Sequence, residues 1–252
     1  MWPAGTDLSK TPTGMLKAEM MTEGRKRLWE FIGEWSGQLQ TAETIVAQWG
    51  IGPAKSSIDM IDEASDAWPG IIANRANLLK LGANAYRDLK ENIASQVKDL
   101  QQYWTSPGAA GSYCIYANSL GDYYDAIAGN LQWLGEEGEK AAQTIDDLQL
   151  AYANLGYEHI KIIAAQLQAY NDAANSLSHA VDEPLKALAD AVTGLVNSLI
   201  ASWDAAATKA QASLNVSQKV IDGAPHFADN NQDVKQPPQS PSDDWRGKGW
   251  KP

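Results

Sequence analysis

The sequence has few of the residues that build crosslinked or reactive sites. It contains one cysteine, Cys114, among 252 residues, so an intramolecular disulfide and a zinc cage of cysteines are both excluded. It contains three histidines, and no Gly-x-Ser-x-Gly elbow, Glu-x-x-His pair or phosphate-binding glycine loop. Because neither a nucleophile–base pair nor a metal cluster can be assembled, the sequence predicts a non-enzymatic protein with no cofactor and no bound metal.

Basic charge is also scarce. The chain carries 20 Lys and Arg residues against 31 Asp and Glu residues, a formal net charge of -11 at pH 7. A net-negative protein is repelled by nucleic acid and by anionic membranes, so neither is an expected partner. The basic run RKR at 25–27 lies among Glu19, Glu23 and Glu30, and is predicted to be a solvated helix face.

Long apolar runs are absent as well. No segment reaches the ~18 consecutive apolar residues of a membrane span. The nearest is 187–203, which contains Asp190 and Asn197. Residues 1–14 lack the basic start and apolar run of a secretory signal peptide. Export of this chain would therefore use a route that does not read a cleavable signal.

The sequence is instead dominated by helical periodicity. Over about 14–222, apolar residues recur at intervals of three and four, and β-branched residues do not alternate over a useful length. From Gly223 the chain becomes rich in Pro, Asp, Asn, Gln and Gly. The predicted fold is all-α: an elongated antiparallel helical bundle over 14–222, with a long central hairpin at about 71–181. A flexible start (1–13) and a disordered tail (223–252) flank the bundle.

The hairpin is predicted to turn within LQQYWTSPGAAGSY, residues 100–113. Pro107 cannot lie inside a helix without the loss of a backbone hydrogen bond, but it suits the first turn of a new helix. Ser106, directly before it, is a good N-cap. One helix is therefore predicted to end near Tyr103 or Trp104, and the next to begin at Pro107.

Apolar seams mark both arms of this hairpin. The first seam consists of Leu79, Tyr86, Leu89, Ile93, Val97, Leu100 and Trp104. The second arm is predicted to run over 107–181, with Cys114 buried and with coiled-coil spacing from Ile145 onward. Gly135 and Gly138 predict a kink or fraying in this arm.

Three further helices complete the bundle. The first covers about 15–48, and a short one between residues 54 and 67 carries Ile58 and Ile61 on its apolar face. The last begins around Pro184, because Asp182 and Glu183 suit the first turn of a helix.

The hairpin joint resembles a known family. In WTSPGAAGSY a tryptophan is followed by a tight turn with glycine, then by two alanines and an aromatic residue: Trp104, Gly108, Ala109, Ala110 and Tyr113. This pattern resembles the WXG family of type VII (ESX) secretion substrates, over about 71–165. The resemblance implies a helical hairpin that is exported as a folded helical pair without a cleavable signal. The candidate turn and export-recognition residues are then Trp104, Ser106, Pro107 and Gly108.

Two features depart from the family pattern. Three residues separate Trp104 from Gly108, where the family has one. The family's Tyr-x-x-x-Asp/Glu export signal is missing; His179 and Glu183 have its spacing, with histidine in place of tyrosine. These two residues are the candidate degenerate signal, and an ion pair along one helix face is the alternative. Otherwise a partner is expected to supply the signal.

Three functional hypotheses follow. The leading one is a secreted, type VII-like helical protein that acts through protein–protein contacts at Trp- and Tyr-rich surfaces. Its partner would be a small helical WXG-type protein, the secretion machinery or a second copy. The alternative is a helical pore-forming or membrane-active protein that inserts a segment near 187–203, and this is the hypothesis with a membrane partner. A cytoplasmic scaffold or phage structural protein is the third, and it predicts no export.

Overall fold

The computed structural model describes residues 21–103, 107–176 and 180–223. Within these ranges the regular structure is entirely helical, which confirms the predicted all-α class. The helices are α1 (Glu23–Gln48), α2 (Ser57–Asp66), α3 (Pro69–Tyr103), α4 (Pro107–Ala174) and α5 (Asp182–Gly223). The predictions for residues 1–13 and for the tail beyond Gly223 concern residues outside the described ranges.

Proline and glycine mark several helix ends. Pro69 and Pro107 are each the first residue of a helix, where the missing N–H needs no partner. α1 ends just before Gly50, whose φ of 70° is left-handed. The Gly50 N–H donates to the carbonyl of Ala47 at 3.0 Å, as in a glycine C-cap. The predicted end of one arm near Tyr103 and the predicted start of the next at Pro107 are both confirmed.

The short helix α2 is attached to α1 at its N-terminus. Ser56 caps α2, because its Oγ accepts a hydrogen bond from the Asp59 N–H at 3.3 Å. Glu43 of α1 in turn accepts hydrogen bonds from Ser56 Oγ and from the Ser57 N–H, each 2.6 Å long. A carboxylate also stabilises the positive end of a helix. The α1–α2 connection is therefore held by charge-assisted hydrogen bonds.

The chain divides into two compact units. Unit 1 comprises Met1–Ala73 and Lys140–Gln211, and unit 2 comprises Asn74–Glu139 and Ala212–Pro252. The core of unit 1 is built from α1, α2 and the parts of α4 and α5 that belong to this unit. Its buried side chains are Leu28, Phe31, Leu39, Ala42, Val46, Ile61, Ala64, Tyr152, Ala153, Ile160, Ile163, Leu167, Leu188, Ala189, Val192, Leu195 and Leu199.

Within unit 1, α1 runs parallel to α4. The Gly24 N–H donates to Asp146 Oδ1 at 2.9 Å, and further along both helices Phe31 packs against Gly156. This direction differs from the antiparallel arrangement predicted for the bundle. Two other helices separate α1 from α4 along the chain, so no hairpin connects them and sequence proximity does not set their direction.

The pairing of α4 with α5 in unit 1 is antiparallel, as predicted. His159 Nε2 lies 3.4 Å from Ser198 Oγ, whereas the earlier Tyr152 of α4 shares a pocket with the later Trp203 of α5. His159 is thus a half-buried packing residue on the apolar seam.

Within unit 2, α3 and α4 form the predicted antiparallel hairpin. Lys80 Nζ lies 2.6 Å from Glu139 Oε1, and Lys90 Nζ lies 2.8 Å from Asp125 Oδ2. As the residue number rises along α3, the residue number of its partner on α4 falls, so the two helices are antiparallel. Both pairs are largely solvent-exposed, so each contributes little to stability by itself.

α4 presents a regular buried face. Every seventh residue is buried over the stretch Gly121, Ala128, Gly135, Ala142, Gln149, Gly156 and Ile163. The fraying predicted at Gly135 and Gly138 does not occur, because α4 continues through both residues; it ends at Ala174 rather than at 181. These glycines instead allow α3 to approach. A Cβ at Gly135 would lie 2.8 Å from the Ala76 carbonyl oxygen, and one at Gly138 would lie 2.9 Å from Ala76 Cβ.

Two single residues differ from prediction in their burial. Arg25, expected on a solvated face, is 1% exposed, and its guanidinium carbon lies 4.9 Å from the ring centroid of Trp29 and 3.5 Å from that of Trp68. Burial lowers the pKa of Arg25 from its ordinary value. The flat guanidinium of Arg25 is accommodated because it stacks on aromatic rings and donates to the carbonyl of Ala67.

Cys114, expected to be buried, is only half-buried.

Candidate protein-contact surface

The predicted export-recognition turn is only partly covered by the described residues. Trp104 and Ser106 lie outside them. Pro107 and Gly108 open α4, and Tyr103 closes α3. A Cβ at Gly108 would meet no atom within 4 Å, so no close contact in the described structure requires glycine there.

The candidate degenerate signal is divided in the same way. His179 lies outside the described residues, and Glu183 is exposed in the first turn of α5. An acidic side chain at this position stabilises the helix start through the helix dipole. The structure describes three of the predicted site residues. Pro107 and Gly108 are neighbours in the chain, and Glu183 acts at the start of a different helix.

A row of exposed apolar residues follows α3 towards this turn. We call it the α3 apolar face; its members are Leu78 (51% exposed), Leu81 (54%), Leu89 (45%), Leu100 (37%) and Tyr103 (82%). At 3.6 residues per turn they fall within an arc of about 100°. The face is about 38 Å long from Leu78 to Tyr103, at 1.5 Å per residue.

Small residues on the opposite side of α3 explain why these leucines point outward. Ala76 and Ala83 are buried in unit 2, and Ala76 lies against Gly135 and Gly138 of α4. Helices that meet through such residues approach closely and leave little room for large side chains between them. The sequence placed Leu89, Val97 and Leu100 in the hairpin seam. Val97 is buried, but Leu89 and Leu100 are exposed, so the prediction is wrong for these two.

Polar residues surround and interrupt the α3 apolar face. Asn92 and Gln96 lie between its leucines, and Asp88 and Asp99 lie along one border, all of them exposed. Towards α4, the hydrogen bond that the Lys90 ammonium donates to Asp125 Oδ2 raises the pKa of Lys90. The surface is therefore an apolar row with an acidic border, an arrangement suited to a partner helix with basic residues at its edge.

One signal in the sequence could have revealed this face. Leu78, Leu89 and Leu100 are spaced eleven residues apart. Eleven residues make just over three full turns of an α-helix, so the three side chains form a nearly straight row. The prediction used only intervals of three and four, and it therefore assigned Leu89 and Leu100 to the buried seam.

Metal and membrane features are limited within the described ranges. No group of three or more His, Cys, Asp or Glu side chains able to hold a metal ion occurs there. One helical stretch, Asp182–Asn215, is long and apolar enough to cross a membrane by length and composition alone. The core helix of a soluble protein meets the same criterion, and Leu188, Val192, Leu195 and Leu199 of this stretch are fully buried in unit 1.

Comparisons with known proteins give no relative. No family model matches the chain, and neither the curated proteins nor the solved structures contain a significant match.

Proposed function

We propose that this chain is a helical protein that acts through protein–protein contact, and that it is exported by a type VII-like route. The α3 apolar face carries the first part of the proposal. The second part rests on the resemblance of the 100–113 joint to the WXG family and on the helical hairpin that contains this joint.

The size of the face supports a binding role. Four leucines retain between about a third and a half of their surface in water, and Tyr103 retains most of its own. Full burial of such a side chain contributes about 1.5–3 kcal/mol, so covering the face contributes on the order of 4–8 kcal/mol before ordering costs. A contact of that strength suits a regulated or transient partner better than an obligate one.

The shape of the face indicates a helical partner. Its row of leucines is straight, because an eleven-residue repeat follows the axis of a helix with little drift. A helix from the partner can lie along it, with its own apolar residues between the leucines. The partner that we propose is a small helical hairpin of the WXG type, with basic residues that face Asp88 and Asp99.

Site-specific photo-crosslinking tests the contact. A photoreactive amino acid is placed at Leu89 in the protein expressed in its native host, and in a matched control at Glu91. Glu91 is exposed and lies about 200° around α3 from Leu89. We expect a discrete crosslinked partner from position 89 and none from 91. Equal crosslinking from both positions, or none from either, would refute a contact at this face.

Fractionation of the same host tests export. Cells with and without a working type VII motor ATPase are compared, and we expect the protein in the medium only when the motor works. Retention in both strains together with a crosslink at Leu89 would refute export while the contact holds, as for a cytoplasmic scaffold.

The membrane-active alternative has a separate test. It requires residues 187–203 to leave the unit 1 core, so it predicts dye release from liposomes at mildly acidic or neutral pH. No release at either pH would refute it.

A further inference from the structure

Unit 1 contains a pocket of about 450 Å³ that is lined by the loop before α2, by α2 itself, by α4 and by α5. This volume is typical of small-ligand sites. Three carboxylates line it, from Asp59, Glu63 and Asp204, against one ammonium group, from Lys55. The pocket therefore has an excess of negative charge and a matching excess of hydrogen-bond acceptors.

The three carboxylates are not paired with Lys55 or with any other described cation. None forms an ion pair or a side-chain hydrogen bond with another described residue. Asp59 and Glu63 lie one turn apart on α2, and Asp204 approaches from α5. They do not form a group able to hold a metal ion. Because the three carboxylates are not grouped closely enough to hold a metal ion, an extended organic cation matches their arrangement better.

Tyr152 supplies a further polar group at the pocket. Only 1% of its surface is exposed, and it lines the pocket from α4. Its hydroxyl forms no hydrogen bond with a described residue, and its oxygen is not fully buried, so a molecule in the pocket can reach it. Burial, followed by the charges of Glu63 and Asp204, raises the pKa of Tyr152 to about 12. The phenol is therefore neutral at physiological pH, and its oxygen can accept a hydrogen bond from a ligand N–H.

Trp203 forms an aromatic wall of the same pocket. It lies directly before Asp204 on α5 and is 47% exposed. The face of an indole ring attracts a cation within about 6 Å of its centroid. The same ring can also pack against the alkyl stem that carries an ammonium or guanidinium group. The pocket thus combines acceptors for N–H donors with an apolar surface for their stem.

We propose that this pocket binds an organic cation, an alkyl-ammonium or alkyl-guanidinium group whose nitrogens lie among Asp59, Glu63 and Asp204. Its stem packs on Trp203, and Tyr152 Oη accepts one of its N–H groups. This site is independent of the contact surface on α3. The same chemistry is presented by a free amine such as agmatine and by an arginine side chain within a peptide.

Isothermal titration of the full chain with two probes distinguishes these sources. One probe is agmatine, and the other is an acetylated, amidated Gly-Arg-Gly peptide. Tighter binding of agmatine assigns the site to a free amine, and tighter binding of the peptide assigns it to a polypeptide side chain. Absence of saturable binding for both probes at millimolar concentration overturns the proposal.

Variants connect the binding to the pocket. We expect Asp204→Asn to weaken the preferred probe about five- to tenfold, and Tyr152→Phe about threefold. The control is Asp99→Asn, an exposed carboxylate in unit 2, which should leave affinity unchanged. Equal weakening by Asp204→Asn and Asp99→Asn would show general charge attraction and overturn the site. Glu63→Gln, also at an exposed position, provides a second test if Asp204→Asn fails to fold.

Discussion

Replacing Gly135 with alanine is expected to destabilise the α3–α4 hairpin, whereas the same change at Gly129 is expected to stabilise it. Both glycines lie inside α4, six residues apart. At Gly129 a Cβ would meet nothing within 4 Å. At Gly135 it would lie 2.4 Å from Lys80 Cγ and 2.8 Å from the Ala76 carbonyl oxygen. The lysine side chain can move aside, but the backbone oxygen can move only if α3 moves.

Both variants gain stability from helix propensity, and they differ in whether the added methyl group overpacks against α3. Each gains about 1 kcal/mol, because alanine has the higher helix propensity. Only the variant at Gly135 also carries the overpacking penalty, about 1–3 kcal/mol. Their difference therefore isolates the closeness of α3 and α4. For a chain of this size it corresponds to a Tm separation of roughly 2–12 °C.

Thermal unfolding followed by far-UV circular dichroism measures this separation. Gly129→Ala is expected to unfold above the wild type, and Gly135→Ala clearly below Gly129→Ala. If both variants gained the same stability, α3 would not approach α4 at this position. The alanine seam would then be wrong, and with it the physical reason for the outward α3 apolar face.

Three further predictions concern unit 1. Arg25→Ala should lower the free energy of unfolding by about 2–4 kcal/mol in a urea titration, because it leaves a cavity against the rings of Trp29 and Trp68. The same change at the exposed Lys26 should leave the free energy of unfolding unchanged. Glu43→Ala should lower it by about 1–2 kcal/mol through loss of the contacts that anchor α2, and an unchanged midpoint would contradict that role. The pKa of Tyr152, raised from 10.0 to about 12, predicts stability that is complete below pH 10 and declines by up to about 3 kcal/mol as pH rises to 12. The unfolded chain releases this proton first, so Tyr152→Phe should remove this part of the decline.

The existence of the helices and several of their ends were predictable because they depend on local chemistry, although α4 ends earlier and α1 begins later than the sequence predicted. The position of Pro107 sets the start of α4 whatever surrounds it, and Gly50 ends α1 through its own backbone conformation. Similarly, Asp182 marks the start of α5 in the sequence and in the structure. Such features need no knowledge of which helices pack together.

The orientation of the helices was not predictable in the same way. Arg25 is charged and stands in a basic run, and its burial depends on Trp68, which is distant in sequence. The choice between leucine and alanine for the α3 seam depends on how closely α4 approaches, and the glycines that permit this approach lie more than 50 residues away. The pocket likewise joins Asp59 to Asp204, and only the pair Asp59 and Glu63 had a recognisable spacing.

The parallel pairing of α1 with α4 has a consequence for synthesis of the chain. Gly24 and its partner Asp146 are 122 residues apart, so α1 emerges from the ribosome long before the helix that covers it. At about 5–20 residues per second, this delay is roughly 6–25 s. The α3–α4 hairpin lies within the intervening segment and depends on shorter-range contacts, which form faster. We therefore expect the hairpin to fold first. Until α4 is complete, the apolar side of α1, including Leu28 and Phe31, stays exposed to solvent and is a stretch to which a chaperone can bind.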